Sequence, residues 1–461
     1  MNIEVYLSVY KMQFNGDMPD ACDTSKFLLK DSPSIRKIKK TLVKNVRKDL
    51  LKMKTSTVKG TNDYLPKEAA LRDFLMEEIL RTYQSCGFQR IMTPVIEDIE
   101  NLDKSEGGEN LNLIFKVLKR GDKLEKALEA KDEKELCDMG LRYDLTLPLS
   151  RYYANNKEKL LSPFKCIQID RVYRAERPQK GRLREFYQCD IDIIGTSSLT
   201  AEVELITTTA QALKNIGVGE FKVKINNRKL LKAILMTTGI QPEELDSVCI
   251  SIDKLDKVGL EGVKEELTAK GFKAESINKL SEVLSTKPFT LEEAERLCPE
   301  EESVKEIRFI LDSVKALNSE FDVEYDITLI RGQGYYTGTV FEVESTKFRG
   351  AIAGGGRYDN LIGKFLNESV PAVGFSIGFE RIFGILTDIG FQIPDRMKQI
   401  AVLYEEKDFI PAMEYAREIR GKFNVAMYVK PKKTGKFIDK LQEQGCDGFY
   451  IYGQSEEINF L

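Results

Sequence analysis

Two periods of apolar residues run through this chain. At 165–174, 185–194, 339–344, 349–353 and 372–378 apolar side chains alternate with polar ones or form short runs, the pattern of β-strands. The turn-rich KGTNDYLP leads into a helical pattern at about 67–86, followed by a short strand at 88–92 that ends at Pro94. From about 226 to 320 the spacing lengthens to three or four, as in DKVGLEGVKEELTAKG, so a helical insertion interrupts the strands. After Pro394 the order IAVLYE, PAMEYAREIRGK, NVAMYVKP, KFIDKLQEQG, FYIYG reads β-α-β-α-β. The pattern predicts an α+β fold: an antiparallel sheet flanked by helices, with a helical insertion and a small C-terminal α/β domain.

Residues 1–57 stand apart. Ile35, Ile38, Leu42, Val46 and Leu50 form one apolar stripe under a strongly basic face. Such a helix suits RNA contact or a membrane surface, but a plain N-terminal extension is the favoured reading. The expected organisation is therefore an extension at 1–57, a core at 58–395 carrying the insertion at about 226–320, and a short α/β domain at 396–461.

Composition narrows the chemistry. The 461 residues are 42% hydrophobic and 31% charged with a net charge of −3, so a nucleic-acid surface must be a local patch. No C-x-x-C pair occurs among the eight cysteines, which argues against a zinc ribbon or a disulfide framework and suits a reducing cytosol. No apolar run approaches a membrane span and the N-terminus lacks a signal-peptide core, so a cytoplasmic protein is expected. Histidine is absent altogether, which excludes Ser-His or Cys-His catalytic pairs and His-ligated metals.

Five segments carry candidate chemistry. RVYRAERPQKGRLREFYQ, at 171–188, is an arginine-rich strand-loop-strand whose guanidinium groups suit polyphosphate oxygens, with Phe186 a flat surface for a base. Solvated charges on an exposed hairpin would read the same way. LIRGQGYYTGTVFE places Arg331 beside Tyr335 and Tyr336. AIAGGGRYDNLIG has three successive glycines where a ligand could approach the backbone, or turn chemistry between strands. AVGFSIGFERIFGIL is a strand entering a helix with Arg381 near its start, and MGLRYDLTLPLSRYYA alternates Asp144 and Thr146 onto one face of an extended segment.

Together these segments resemble the class II aminoacyl-tRNA synthetases, and within them the histidyl-tRNA synthetase family. The class's first motif matches around TPVIE with Pro94, its second VYRAERPQKGRLREFYQ and its third GFSIGFERIFGIL, while the family's own signatures resemble LIRGQGYYTGTVFE and AGGGRYDNLIG. Gln333 and Gly334 depart from the commoner RGLDYY form of the first signature.

The resemblance, over 57 to about 455, implies a ligase that activates histidine with ATP and transfers it to tRNA(His). It implies that Arg174 holds the α-phosphate, Glu176 the adenine edge and Arg182 the distal phosphates, with adenine between Phe186 and Arg381. Arg331 would reach the α-phosphate from the other side, making Arg174, Arg331 and Arg381 the catalytic set. Asp144, Leu145, Thr146 and Gln188 would hold the substrate near its α-ammonium, with Arg174 and Arg331 alongside. Asp192, Tyr335, Tyr336 and Tyr358 would read the imidazole. Mg2+ would accompany ATP with no protein-bound metal, and a homodimer would form around Pro94. The alternative is a catalytically inactive histidine sensor regulating histidine biosynthesis, a type of paralogue that loses the ATP-binding arginines.

Overall fold

The computed structural model describes residues 54–105, 112–177, 182–317, 320–331, 335–345 and 350–461. The basic stripe at 35–50, Gly181, Gln333 and Gly334 lie outside them. The chain divides into Met1–Thr57 and Val58–Leu461, and every element below belongs to the second unit.

In chain order its strands are β1 (Gln89–Arg90), β2 (Ile96–Asp98), β3 (Lys116–Leu118), β4 (Cys137–Leu141), β5 (Phe164–Tyr173), β6 (Glu185–Ile194), β7 (Phe221–Asn227) and β8 (Asp322–Tyr325). They continue as β9 (Thr339–Ser345), β10 (Ala351–Arg357), β11 (Ala372–Gly378), β12 (Gln399–Tyr404), β13 (Asn424–Val429), β14 (Gly448–Ile451) and β15 (Asn459–Phe460). Eight form the main sheet in the order β1-β5-β6-β11-β10-β9-β7-β8, antiparallel except at the two outer pairs, β1 with β5 and β7 with β8. The fold is α+β, as the pattern predicts.

Period-two alternation gives this sheet two unlike faces. Cys189, Ile191 and Ile193 on β6 and Val373, Phe375 and Ile377 on β11 are buried on one face. They share a core with Leu71, Leu75, Ile79 and Tyr83 of the helix Pro66–Ser85 and with Leu205, Ile206 and Leu213 of the helix Thr200–Asn215. The intervening residues of the same strands, Gln188, Asp190, Asp192 and Ser376, face the other way. One face therefore supplies stability and leaves the other for chemistry.

Five α-helices from Leu245 to Leu317, preceded by Arg228–Thr237, fill the interval between β7 and β8 and carry the chain between two parallel neighbours. At the C-terminus β12, β13 and β14 pair in parallel and β15 closes the edge antiparallel. There Lys432, Lys433 and Lys436 are exposed, whereas Lys430 is half-buried against Gln454 at 3.1 Å. No helix among the described residues is long and apolar enough to cross a membrane.

Two local expectations are corrected. The 139–154 segment is not extended through Asp144 and Thr146: β4 stops at Leu141 and a helix runs Thr146–Asn156. Asp144 causes the change, because its Oδ1 accepts from the Leu147 backbone N–H at 3.1 Å and satisfies a donor that a helix start leaves open. The triple glycine is likewise no turn, since Gly354, Gly355 and Gly356 lie inside β10, paired to β9 and β11.

One buried ion pair locks the end of β10. Arg357 donates Nε to Glu202 Oε1 at 2.7 Å and Nη2 to Oε2 at 2.8 Å, and Glu202 is fully buried. Removing one member strands the other charge in the core, so Glu202→Ala is expected to lower unfolding stability by about 3–5 kcal/mol. Denaturant titration checks this, and a loss under about 1 kcal/mol would count against it.

Candidate active site

The polar face of the main sheet floors a cavity of about 320 Å³. β6 contributes Gln188, Asp190 and Asp192; their register partners on β11 are the small residues Gly378, Ser376 and Gly374. Gly354 of β10 pairs with Ser376 and faces Glu342 on β9. Two glycines here have a specific task. A Cβ at Gly354 would run into the guanidinium of Arg331, and one at Gly374 into the carboxylate of Asp192. These glycines thus make room for site side chains, and they line the cavity as well.

Four arginines line the cavity. Arg174 donates Nε to the Tyr143 carbonyl at 3.0 Å and its guanidinium lies 5.1 Å from the Phe186 ring centre. Arg331 donates to Glu342 Oε2 at 2.6 Å. Arg381, at the start of the helix Phe379–Asp388, donates to the Ala351 carbonyl. Burial, then repulsion from Arg331 and also Arg182, pulls Arg381 below its ordinary value despite Glu342 nearby. Arg182 is half exposed with Glu176 at 3.6 Å. Such a cluster of positive charge calls for an anion, and planar guanidinium forks match phosphate.

The helix bearing Arg381 is anchored from behind. Arg72 grips the neighbouring Glu380 through both oxygens at 2.6 and 2.7 Å. Its guanidinium sits 3.9 Å from the Tyr64 ring centre and 4.7 Å from that of Phe379, so the pair is shielded from water.

Acids and phenols line the same cavity. Tyr358 donates to Asp192 Oδ1 at 2.7 Å, and its ring meets Tyr335, which in turn packs edge-on against Tyr336 at 5.0 Å. Burial pushes Asp192 up to about 7; the Tyr358 hydrogen bond opposes this and Asp144 adds to it. Burial likewise raises Asp144 and, with Asp192 beside it, raises Asp190 well above the usual carboxylate range. Three buried acids in one wall favour a cationic guest. Burial also lifts Tyr336 to about 12, so its hydroxyl stays protonated at neutral pH and serves as a hydrogen-bond donor.

Of the residues singled out in the sequence, Arg174, Glu176, Arg182, Phe186, Arg331, Arg381, Asp144, Thr146, Gln188, Asp192, Tyr335, Tyr336 and Tyr358 all line this one cavity. Leu145 does not. It is fully buried below, and its carbonyl accepts from Gln168 Nε2 at 2.9 Å. Asp190, Ser376, Glu342 and the Arg72–Glu380 pair are not among the residues the sequence singles out. The alternation Gln188-x-Asp190-x-Asp192 carries Asp190 to the same face, but nothing local signals the others. Among the described residues no group of three or more Cys, Asp and Glu side chains is placed to hold a metal ion.

A protein-family model described as histidyl-tRNA synthetase matches residues 60–382. The chain is similar to a histidine–tRNA ligase of Leifsonia xyli, 40% identical over 383 residues that cover 80% of this chain and 86% of that one. A histidine–tRNA ligase of Christiangramia forsetii is 35% identical over 429 residues, covering 88% and 93%. Among solved structures, histidyl-tRNA synthetase from Nostoc superposes with a TM-score of 0.71 at 28% identity, covering 86% of this chain and 91% of that chain.

Proposed function

The chain belongs to the histidyl-tRNA synthetase family, and from that premise we propose that the sheet-floored cavity carries both steps of histidine–tRNA ligation. The function is that of an ATP-dependent histidine–tRNA ligase. In the first step a carboxylate oxygen of histidine attacks the α-phosphorus of ATP; the bond to the bridging oxygen breaks, and pyrophosphate leaves. In the second, a ribose hydroxyl at the tRNA 3′ end attacks the acyl carbon and AMP departs. Both nucleophiles belong to the substrates, so a chain without histidine loses nothing the chemistry needs.

The protein's part is to position the reactants and stabilise charge. Arg174 and Arg331 meet the α-phosphate from two sides, Arg182 the distal phosphates, and Arg381 with Phe186 encloses adenine, whose edge Glu176 reads. Asp144, Thr146 and Gln188 receive the α-ammonium. Asp192, with Tyr336 and the paired Tyr335 and Tyr358, reads the imidazole: a pocket holding both an acceptor and a hydroxyl leaves polar groups unpaired with any other amino acid. Mg2+ would accompany ATP, held mainly by its phosphate oxygens, and would help neutralise the phosphate charge.

The observation that carries this reading is the meeting of Arg174, Arg331 and Arg381 in the same cavity as Asp192. A histidine sensor without catalysis is not favoured, because the curated relatives are ligases. Pyrophosphate exchange into ATP, dependent on histidine, tests the first step; no exchange from the folded protein would sink the reading. Aminoacylation with and without residues 396–461 then tells whether the C-terminal sheet and its exposed lysines engage tRNA.

We also propose a cytoplasmic homodimer formed through the segment around Pro94. Met92 is 71% and Ile96 50% exposed, and Ile96 shares the outer face of the three-stranded sheet with Met139, whose register partner is Asp98. Between them Glu97 turns inward to Arg151 at 2.6 Å. An apolar outer face over a charged inner one suits a second copy of the chain. A solution mass of a single chain by light scattering would exclude it.

A further inference from the structure

We infer that Asp190 is a positioning residue for the amino-acid end of the cavity: it holds the Gln188 side-chain amide so that Oε1 faces the substrate's α-ammonium. The inference rests on the reading of the site just given and adds a residue to it.

Three observations converge. First, Gln188 Nε2 lies 3.3 and 3.4 Å from the two carboxylate oxygens of Asp190 and 3.3 Å from Ser376 Oγ. The strand period brings these groups together. Gln188 and Asp190 are two apart on β6, and Ser376 is the register partner of Asp190 on β11. Second, Gln188 Oε1 is buried and has no hydrogen-bond partner among the described residues. Third, Asp144 Oδ2, which borders the same cavity, is buried and unpartnered too, although Oδ1 of that acid accepts from Leu147.

A primary amide is a donor at one end and an acceptor at the other. Rotated by half a turn, it would set Oε1 against the oxygens of Asp190, and its NH2 group would point at the place meant for a cation. A protonated Asp190 could also donate to Oε1, but an ammonium bound nearby favours the ionised, acceptor-only form, and against that form only Nε2 fits. Asp190 therefore decides which end of Gln188 the ligand meets. Two buried acceptors without donors are costly alone, and an ammonium brings three N–H groups to satisfy them. Asp190 itself need not touch the ligand.

The test uses pyrophosphate exchange by the full chain, with Michaelis constants measured separately for histidine and ATP. D190N keeps the shape and removes a buried acid, so its melting temperature should hold. Its amide can now accommodate either rotation of Gln188, and the histidine KM is expected to rise about tenfold, equivalent to ~1.4 kcal/mol, with the ATP KM within about twofold of wild type. Q188E sets two acids face to face and should raise the histidine KM about a hundredfold. Combining D190N with Q188E puts an amide donor at position 190 opposite a carboxylate acceptor at position 188, and should return the histidine KM to within about tenfold of wild type.

A double variant as impaired as the product of the single effects would overturn the inference, as would equal shifts in both Michaelis constants for D190N. D190A, which removes the acceptor without adding a second amide, keeps the question answerable should D190N not fold: a rise of about tenfold in the histidine KM supports the inference and an unchanged value refutes it. Wild-type protein without exchange would instead overturn the proposed function itself.

Discussion

Replacing Arg331 with alanine is expected to slow histidine-dependent pyrophosphate exchange by about a thousandfold or more, the range set by removing an arginine aimed at a reacting phosphoryl group. Its placement is specific. Glu342 holds one side of the guanidinium at 2.6 Å, and Gly354 leaves it the space to lie against β10. Held in advance, it stabilises the charge that builds on the α-phosphate without reorganising during the reaction. Arg331→Lys keeps the charge and a partner for Glu342 but loses the planar fork, so an intermediate rate is expected. Exchange by Arg331→Ala within tenfold of wild type would remove Arg331 from the chemistry.

Asp192→Asn should trade function for stability. Its carboxylate is the acceptor fixed by Tyr358 at the imidazole end, and replacing it is expected to lower kcat/KM for histidine by roughly 10²–10³-fold, about 3–4 kcal/mol. Stability should move the opposite way. Burial raises Asp192 to about 7, whereas the unfolded chain ionises near the ordinary value of 3.8. Below that ordinary value both states hold the proton and folding bears no penalty. Between it and about 7 the unfolded state releases its proton first, so stability falls as pH rises and then levels off. The full difference is on the order of 4 kcal/mol.

Asp192→Asn escapes this loss. Its melting temperature is expected to exceed that of wild type at pH 8 and to match it near pH 4. No protein imidazole titrates in this window to obscure the comparison, since the chain has no histidine. Equal melting temperatures at pH 8 would mean that Asp192 ionises in the folded protein as freely as in water.

Much of this architecture is local in origin, and local patterns are legible. The alternation EFYQCDIDII already assigns Gln188 and Asp192 to one face of a strand and Cys189, Ile191 and Ile193 to the other, because successive side chains must point to opposite sides. The three- to four-residue spacing between 226 and 320 marks the insertion for a similar reason. Arg174, Arg331 and Arg381 stand out through the segments around them, and the structure brings all three to one cavity.

What the chain could not disclose is whatever depends on partners distant in sequence. Asp144 is a local exception: its alternation with Thr146 suits a strand, yet its Oδ1 accepts from the Leu147 N–H only three residues on, where a helix starts. The glycines of β10 suit a turn as readily as a strand until the sheet sets Gly354 beneath Arg331. Arg72 and Glu380 meet across 308 positions, and Gln188 and Ser376 across 188. By itself the sequence determined which residues share a face, since that follows from bond geometry over a few ångströms. Which faces oppose one another, and hence which serine meets which amide, was decided by the register of strands far apart in the chain, set by packing the whole apolar face beneath its helices.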